Sequence, residues 1–392
     1  MKVVYLPVEI LTRELDSRVE LVKALPDCIV VVGQSWEILR NAEKLPPGVI
    51  LFKTVNRIQG SNMMSWKLAG HTVCALDEEA LIAKGASALD SAVSRLAMSN
   101  CDYFLAHNQE QLNVIQSTYF LDGRVVGNQR LDLCRGESFE PEAAALREKH
   151  GPFVLINTNF GSINSHWGGY EGSRNIAKQA GMIDTPAQDY EFKAMAAWEH
   201  RNMTEVYSLI NKLSDLGIKI ILRPHPGENP SVWEDISEII VVTGTSPLPY
   251  IAASEMVFAT SCTTSLEAAI MGKQSVNLSP ARAPIEQICG EVNVTVRSAE
   301  EAVDAMDRGV EMSEYTKLAR EMFPSGATDK IADVLRSIGP TVSETVTFNI
   351  DPIERTDLQR VKFTLEMEQA WRKLGQCSKL ADSLYIKRPE AA

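Results

Sequence analysis

Three short polar segments, each at the end of an apolar run, carry the groups that could do chemistry: Leu76-Asp77-Glu78-Glu79-Ala80, Leu222-Arg223-Pro224-His225-Pro226 and Ser261-Cys262-Thr263-Thr264-Ser265-Leu266-Glu267. Adjacent carboxylates repel, and partial burial raises the pKa of at least one, which suits Asp77, Glu78 or Glu79 to serve as general base or nucleophile. The plainer alternative is an acidic first turn that stabilises the helix after it. The prolines flanking Arg223 and His225 hold both residues extended at the end of Ile220-Ile221-Leu222, where an imidazole can hydrogen-bond a phosphate and help it leave. The third segment opens a helix, whose first N–H groups lack intrahelical partners and whose dipole favours an anion. Capping needs one hydroxyl; Ser261, Thr263, Thr264 and Ser265 together suit a phosphate. Glu267 could accept hydrogen bonds from ribose hydroxyls or simply compensate the helix dipole.

Two further clusters follow predicted strands. Asn157, Asn159 and Gly161 lie in the polar loop after Leu155-Ile156, a common seat for a nucleotide phosphate. Glu9, Arg13 and Glu14 follow the first strand, where Arg13 could hold a substrate carboxylate bidentately. Either cluster could equally be a solvated loop. The chain has no Asp-x-Asp pair, no G-x-x-x-x-G-K-[ST] and no G-x-G-x-x-G, which disfavours a metal-clamped diphosphate donor, a P-loop ATPase and a dinucleotide oxidoreductase. A His, an Arg and a helix N-terminus remain, and they suit a leaving group bearing one phosphate, with no cofactor expected.

Short apolar β-branched runs alternating with helical stretches must position these groups, as in parallel sheets buried on both faces. The series from Val3 to Val8 through Arg124 to Gly127 reads as one α/β domain, residues 1–150, ending in an acidic helix at Lys149-His150-Gly151-Pro152. A second series, residues 151–340, runs from Phe153 to Asn157 through a long loop, a helix at Ala194 to Leu216 and the later strands. Residues 341–392 read as a helical extension with an amphipathic helix from Leu358 to Leu374. The expected fold is α/β, with two Rossmann-type domains whose parallel sheets face a central cleft.

With 392 residues, 45% hydrophobic and 23% charged, the chain is long enough for two cores. A formal net charge of -12 argues against a protein that grips nucleic-acid phosphates. The first residues are too soon interrupted by charge for a signal peptide, and no run nears the roughly eighteen apolar residues of a spanning helix, so a cytoplasmic location is expected. Seven scattered cysteines without a C-x-x-C pair fit buried thiols better than a zinc site or a disulfide framework.

The segments resemble those of bacterial GT-B transferases that use CMP-activated nonulosonic acids, the Kdo and sialic-acid transferases, in which a paired-acid motif followed by Gly, a His-Pro motif and a Ser/Thr motif occur in that order. Here these look like Glu78-Glu79-Ala80, His225-Pro226 and Thr263-Thr264-Ser265. More closely, the stretch from Val4 to about Gly272 resembles the bacterial surface carbohydrate biosynthesis proteins, through YLPVEILTRELDSR, GHTVCALDEEALI, VVGNQRLDL, LINTNFGSIN, ILRPHPGENP and SCTTSLEAAIMG. One departure is Ala80, where the acid motif usually has Gly.

The resemblance implies a GT-B fold, a metal-independent glycosyltransferase and a CMP-sugar donor as co-substrate. The acceptor would be a growing polysaccharide or lipopolysaccharide, glycan or lipid-linked. Glu79 would be the catalytic carboxylate, assisted by Glu78 or Asp77; His225 would contact the CMP phosphate, and Thr263, Thr264 and Ser265 would cradle it. An inverting attack with the carboxylate as base and a double displacement with it as nucleophile both use this set. A CDP-glycerol-type polyol-phosphate transferase, a non-catalytic nucleotide-sugar-binding protein and a UDP-sugar epimerase are the competing readings. The oligomeric state is open, as is peripheral attachment to the inner face of the cytoplasmic membrane, for which no strongly basic amphipathic helix is evident.

Overall fold

Four- to six-residue runs such as Val3–Val8 and Ile29–Gln34 are buried along their whole length. Chains this apolar satisfy their backbone groups only by pairing side by side beneath helices, which yields parallel sheets. The computed structural model describes residues 1–91, 93–179, 181–350, 377–380 and 383–389. The chain divides into two compact units, residues 1–81, 85–133 and 323–392 in the first and 82–84 with 134–322 in the second.

Unit 1 contains β1 (Val3–Val8), β2 (Ile29–Gln34), β3 (Val49–Phe52), β4 (Thr72–Leu76), β5 (Tyr103–Ala106) and β6 (Asp122–Val125). They form a parallel sheet in the order β2-β1-β3-β4-β5-β6. The strand order reverses between β1 and β3, the crevice where open α/β sheets take ligands. One apolar cluster, including Leu6, Val30 and Leu51, covers one face; another, including Tyr5, Trp66 and Phe104, covers the other. Gly127, at φ +89°, follows β6 where a Cβ would stand 2.3 Å from the Pro324 carbonyl oxygen, so only glycine fits the phrase VVGN there.

Unit 2 contains β7 (Val154–Asn157), β8 (Ile220–Arg223), β9 (Ile239–Val241), β10 (Met256–Ala259), β11 (Ser275–Leu278) and β12 (Val294–Val296), in the order β12-β11-β10-β7-β8-β9, all parallel. Numbered within the unit, this is the Rossmann order 3-2-1-4-5-6, with its switch point between β7 and β10. The register sets Asn157 beside Ala259 on one side and Arg223 on the other, so three loops leave the sheet level with one another. The longest helix, Pro186–Asp215, starts with a capping box between Thr185 and Gln188 and Pro in its first turn.

Several expectations change. The loop expected between Asn157 and Ala194 contains the helix Gly169–Gln179 and the first turns of Pro186–Asp215. The polar residues of the long helix's early turns hide its period from an apolar-pattern reading. The acidic helix Glu140–His150, expected to close the first domain, packs on the helix Leu248–Ala253 inside unit 2. The tail expected to be helical supplies β13 (Ser378–Lys379) and β14 (Leu384–Lys387), the latter antiparallel to β2. The cause is an unpaired β2 edge, which a short apolar segment satisfies by strand addition. The expected helix from Leu358 to Leu374 lies outside the described residues. Among the described residues no helix is long and apolar enough to cross a membrane.

Candidate functional site

In unit 1 the candidate residues gather at the carboxyl ends of β1, β3 and β4 around a cation that the sequence reading missed. Lys53 directly follows β3, and its Nζ lies 2.8 Å from Glu9 Oε2, 3.0 Å from Glu14 Oε1 and 3.5 Å from Glu79 Oε1. Burial works against the ammonium, but Glu14, then Glu9 and Glu79, hold its pKa above the ordinary lysine value. Glu14 is buried and also accepts from the N–H groups of Glu9 and Ile10, closing the start of the helix Leu11–Lys23. It is therefore built into the scaffold. Arg13, on the same helix, is half-buried.

The three adjacent acids have three environments. Asp77 is buried, neither of its carboxylate oxygens has a hydrogen-bond partner among the described residues, and its carboxyl is pushed up to about 7, by burial first and by the Glu79 charge second. Glu78 is buried too, yet its pKa is lowered: burial is outweighed by Arg18, with Nη2 3.7 Å away, and then by Arg130, Lys53 and His107. Glu79, in the 3-10 turn Glu78–Ala80, keeps 57% of its side chain exposed. Glu79 is thus the accessible acid. His107, directly after β5, is buried, contacts the Asp77 carbonyl through Nε2, and is pushed down by burial.

In unit 2 the remaining candidates lie at the carboxyl edge around the switch point. Asn157 closes β7 and Thr260 follows β10; both are buried, and among the described residues neither side chain has a hydrogen-bond partner. Ser261 stands at φ 52°, the one non-glycine residue in the left-handed region among the described residues. It is held there by Asn277 of β11, whose Oδ1 accepts from the Ser261 N–H at 2.8 Å and from its hydroxyl at 3.1 Å. A left-handed residue before a helix turns successive N–H groups toward a common point, an anion-binding arrangement. The helix that follows, Thr263–Met271, starts at Cys262 with no side-chain cap.

Of the expected hydroxyls, Thr263 and Thr264 are half-exposed. Ser265 is fully buried and lies against Cys289, and Glu267 is buried with its charge facing Arg223. Burial pushes Arg223 down to about 10, which leaves it protonated at neutral pH; its Nη2 donates to the Thr245 carbonyl and its guanidinium stacks 5.3 Å above the Tyr250 ring. His225 Nδ1 accepts the Gly227 N–H at 3.1 Å, so the neutral ring carries its proton on Nε2. Asn159 Nδ2 reaches the Ser261 carbonyl at 3.5 Å, tying the loop after β7 to the loop after β10.

Two buried acids fasten these loops. Glu228 accepts from Thr158, Phe160, Asn164, His225 and Trp233. Glu199, from the long helix, accepts from the Ser162 N–H at 2.8 Å, the Ser162 hydroxyl at 2.7 Å and the Ile163 N–H at 3.2 Å. Burial, and secondarily Glu228, pushes Glu199 up to about 7. Beside Ser261 a pocket of about 230 Å³ opens at the ends of β10, β11 and β12, lined by Asn277, Ser279, Arg282, Thr295 and Arg297. Lys53 and His107 were within reach of the rule that strand ends carry function, and Glu228 lies three residues after His225. Glu199 sits mid-helix and gave no signal. Among the described residues no group of His, Cys, Asp or Glu side chains is arranged to hold a metal ion.

Two parallel-sheet units of this kind define an α/β fold of the GT-B type, and solved structures share it. The S. aureus MnaA–UDP co-structure matches with a TM-score of 0.53 at 13% identity, over 86% of this chain and 96% of that one. The UDP-GlcNAc 2-epimerase from Neisseria meningitidis bound to UDP-GlcNAc matches with 0.52 at 13% identity, over 86% and 100%. A variant of the wall teichoic acid polymerase TagF matches with 0.51 at 10% identity, over 86% and 88%. No family model matches the chain. No curated protein matches it by sequence.

Proposed function

We propose that this chain is a nucleotide-sugar enzyme of bacterial surface-carbohydrate assembly. In this reading it transfers a nonulosonic acid, Kdo or sialic-acid-like, from a CMP-activated donor to a glycan or lipid-linked glycan in the cytoplasm. The observation that carries it is the switch point of unit 2. There the helix Thr263–Met271 starts without a side-chain cap, Asn157 and Thr260 are buried with no hydrogen-bond partner among the described residues, and Asn157 lies beside Arg223, two residues before His225. Buried polar groups are rarely left without partners, and together with a helix N-terminus they favour a polar anionic ligand.

In this reading the phosphate of the donor lies on the Thr263 and Thr264 end of the helix. Arg223 supplies charge, and the His225 Nε2–H donates to a phosphate oxygen as the bond from phosphate to the anomeric carbon breaks. The nucleoside extends into the neighbouring pocket. Glu79 is the catalytic carboxylate. It either takes the acceptor hydroxyl proton as that oxygen bonds the anomeric carbon, or first bonds that carbon itself and is displaced by the acceptor. Asp77 and Glu78 act behind it, and Glu9 and Arg13 contact the sugar acid or the acceptor.

A second reading, a UDP-sugar 2-epimerase, is favoured by the fold shared with the UDP and UDP-GlcNAc complexes. A thermal-shift titration with CMP, CDP, UMP and UDP separates the two, because any ligand of the native state raises its stability. Selective stabilisation by CMP, followed by CMP release from CMP-Kdo or CMP-sialic acid that Glu79→Gln and His225→Ala abolish, is the expected result. Selective stabilisation by UDP overturns the transferase reading in favour of the epimerase, and selective stabilisation by CDP favours a CDP-glycerol-type donor.

A further inference from the structure

We infer that Glu228 is a positioning residue that holds His225 and the loop after β7 in ligand-ready geometry; the inference rests on the reading of these loops as phosphate-facing. Glu228 is 2% exposed. Its Oε1 accepts from the Thr158 hydroxyl at 2.8 Å, the His225 N–H at 3.0 Å and the Phe160 N–H at 3.1 Å. Its Oε2 accepts from Asn164 Nδ2 at 3.2 Å and Trp233 Nε1 at 3.3 Å. Five donors therefore converge on one carboxylate, and among the described residues no cation pairs with it. Its charge is held by oriented dipoles alone, an arrangement that works in one geometry only.

The donors come from both loops that flank Asn157. Thr158, Phe160 and Asn164 belong to the segment after β7, while His225 belongs to the segment after β8. This side chain ties the two strand ends together just past Asn157 and Arg223, where the parallel pairing of β7 and β8 stops, and farther along the segments are joined by backbone bonds from the Asn229 N–H to the Asn164 carbonyl at 2.7 Å and from the His166 N–H to the Gly227 carbonyl at 3.2 Å. The turn is closed from the other side as well: the Glu228 N–H donates to the His225 carbonyl at 2.8 Å, and the Gly227 N–H donates to His225 Nδ1. The carboxylate therefore fixes the backbone whose N–H selects the tautomer of the imidazole.

A carboxylate is required chemically. Glutamine offers one acceptor and one donor, and Trp233 Nε1 can only donate, so in Glu228→Gln an N–H must face an N–H at one end of the cluster or the other. The side-chain volume is unchanged, so the substitution perturbs hydrogen bonding without opening a cavity.

The test uses the full chain, with Glu228→Gln, His225→Ala and the double variant titrated with CMP by calorimetry, alongside imidazole ¹⁵N NMR of His225 without nucleotide. Glu228→Gln should weaken CMP binding about tenfold, the effect of a lost charge-assisted contact. Glu228→Gln should cost less in the His225→Ala background than in the wild type, because the part of its effect that acts through the imidazole is already lost there, while the part that acts through the loop after β7 remains. The His225 ring of Glu228→Gln should also lose its preference for the Nε2–H tautomer. Effects that multiply, or an unchanged tautomer, overturn the inference. If His225→Ala leaves CMP affinity unaltered, the phosphate reading fails, and the tautomer measurement alone then decides the role of Glu228. Should Glu228→Gln not fold, Glu228→Asp, which keeps the charge but shortens the reach, is read by the same two measurements.

Discussion

Replacing Glu199 by glutamine should make unit 2 more stable at neutral pH, and the gain should vanish in acid. The carboxyl is 6% exposed and pushed by burial from its ordinary 4.5 up to about 7. A group that binds protons more tightly folded than unfolded contributes stability that is complete below the unfolded pKa and is lost as pH rises through the folded one. Here the window runs from 4.5 to about 7, and at about 1.36 kcal/mol per tenfold change in proton affinity the swing is about 3 kcal/mol. The glutamine side chain of Glu199→Gln can keep every contact. Its amide oxygen can accept the Ser162 and Ile163 N–H groups, and its amide nitrogen can donate to the Ser162 hydroxyl, which now accepts. The variant therefore mimics the protonated acid at all pH values. Urea unfolding followed by tryptophan fluorescence reports on the right region, since buried Trp198 is the adjacent residue and donates to the Ala281 carbonyl at 2.9 Å. The stability difference between variant and wild type should grow by about 3 kcal/mol between about pH 4.5 and 8. Parallel stability curves across that range would show that Glu199 ionises without cost, and the reasoning would be wrong.

Lys53→Met should destabilise unit 1 by about 3 kcal/mol, mostly by leaving buried Glu14 without its cation. Because the Lys53 pKa is raised above the ordinary 10.5, its contribution is complete below that value and lost only in stronger alkali. The loss measured by denaturation should therefore be the same at about pH 6 and pH 9; a loss that halves over that interval would count against the ion-pair account. Ser261→Gly should be more stable than Ser261→Ala by about 1 kcal/mol, since both lose the hydroxyl bond to Asn277 and only Gly is relieved of the left-handed backbone cost; equal melting temperatures would contradict this. Asp77→Asn should gain stability relative to wild type as pH rises from the ordinary 3.8 to about 7, the value to which burial pushes this carboxyl, and level off above it; a gain appearing instead as pH falls would reverse the assignment.

Much of this molecule was legible from residue type and spacing. Apolar β-branched runs such as Ile29-Val30-Val31-Val32 and Val49-Ile50-Leu51-Phe52 have too few polar positions for any place but a sheet covered on both faces. The alternation with helices then implied two parallel α/β units, and strand ends implied where polar residues could act. Strand order was not legible, because a buried run carries no mark of which neighbour it pairs with. Only the assembled sheet placed Asn157 between Ala259 and Arg223 and set the switch point between β7 and β10. Nor could sequence distinguish the three adjacent acids. Asp77, Glu78 and Glu79 are near-identical groups, and Arg18 and Lys53, both far from them along the chain, assign Glu78 and Glu79 different electrostatic settings. Composition and local pattern act through the nearest few residues and so determine elements. Burial and charge environment act through space, so only the tertiary structure decided that Glu79 is the accessible acid, that Ser265 and Glu267 are interior, and that Glu199 and Glu228 fasten the loops of the site.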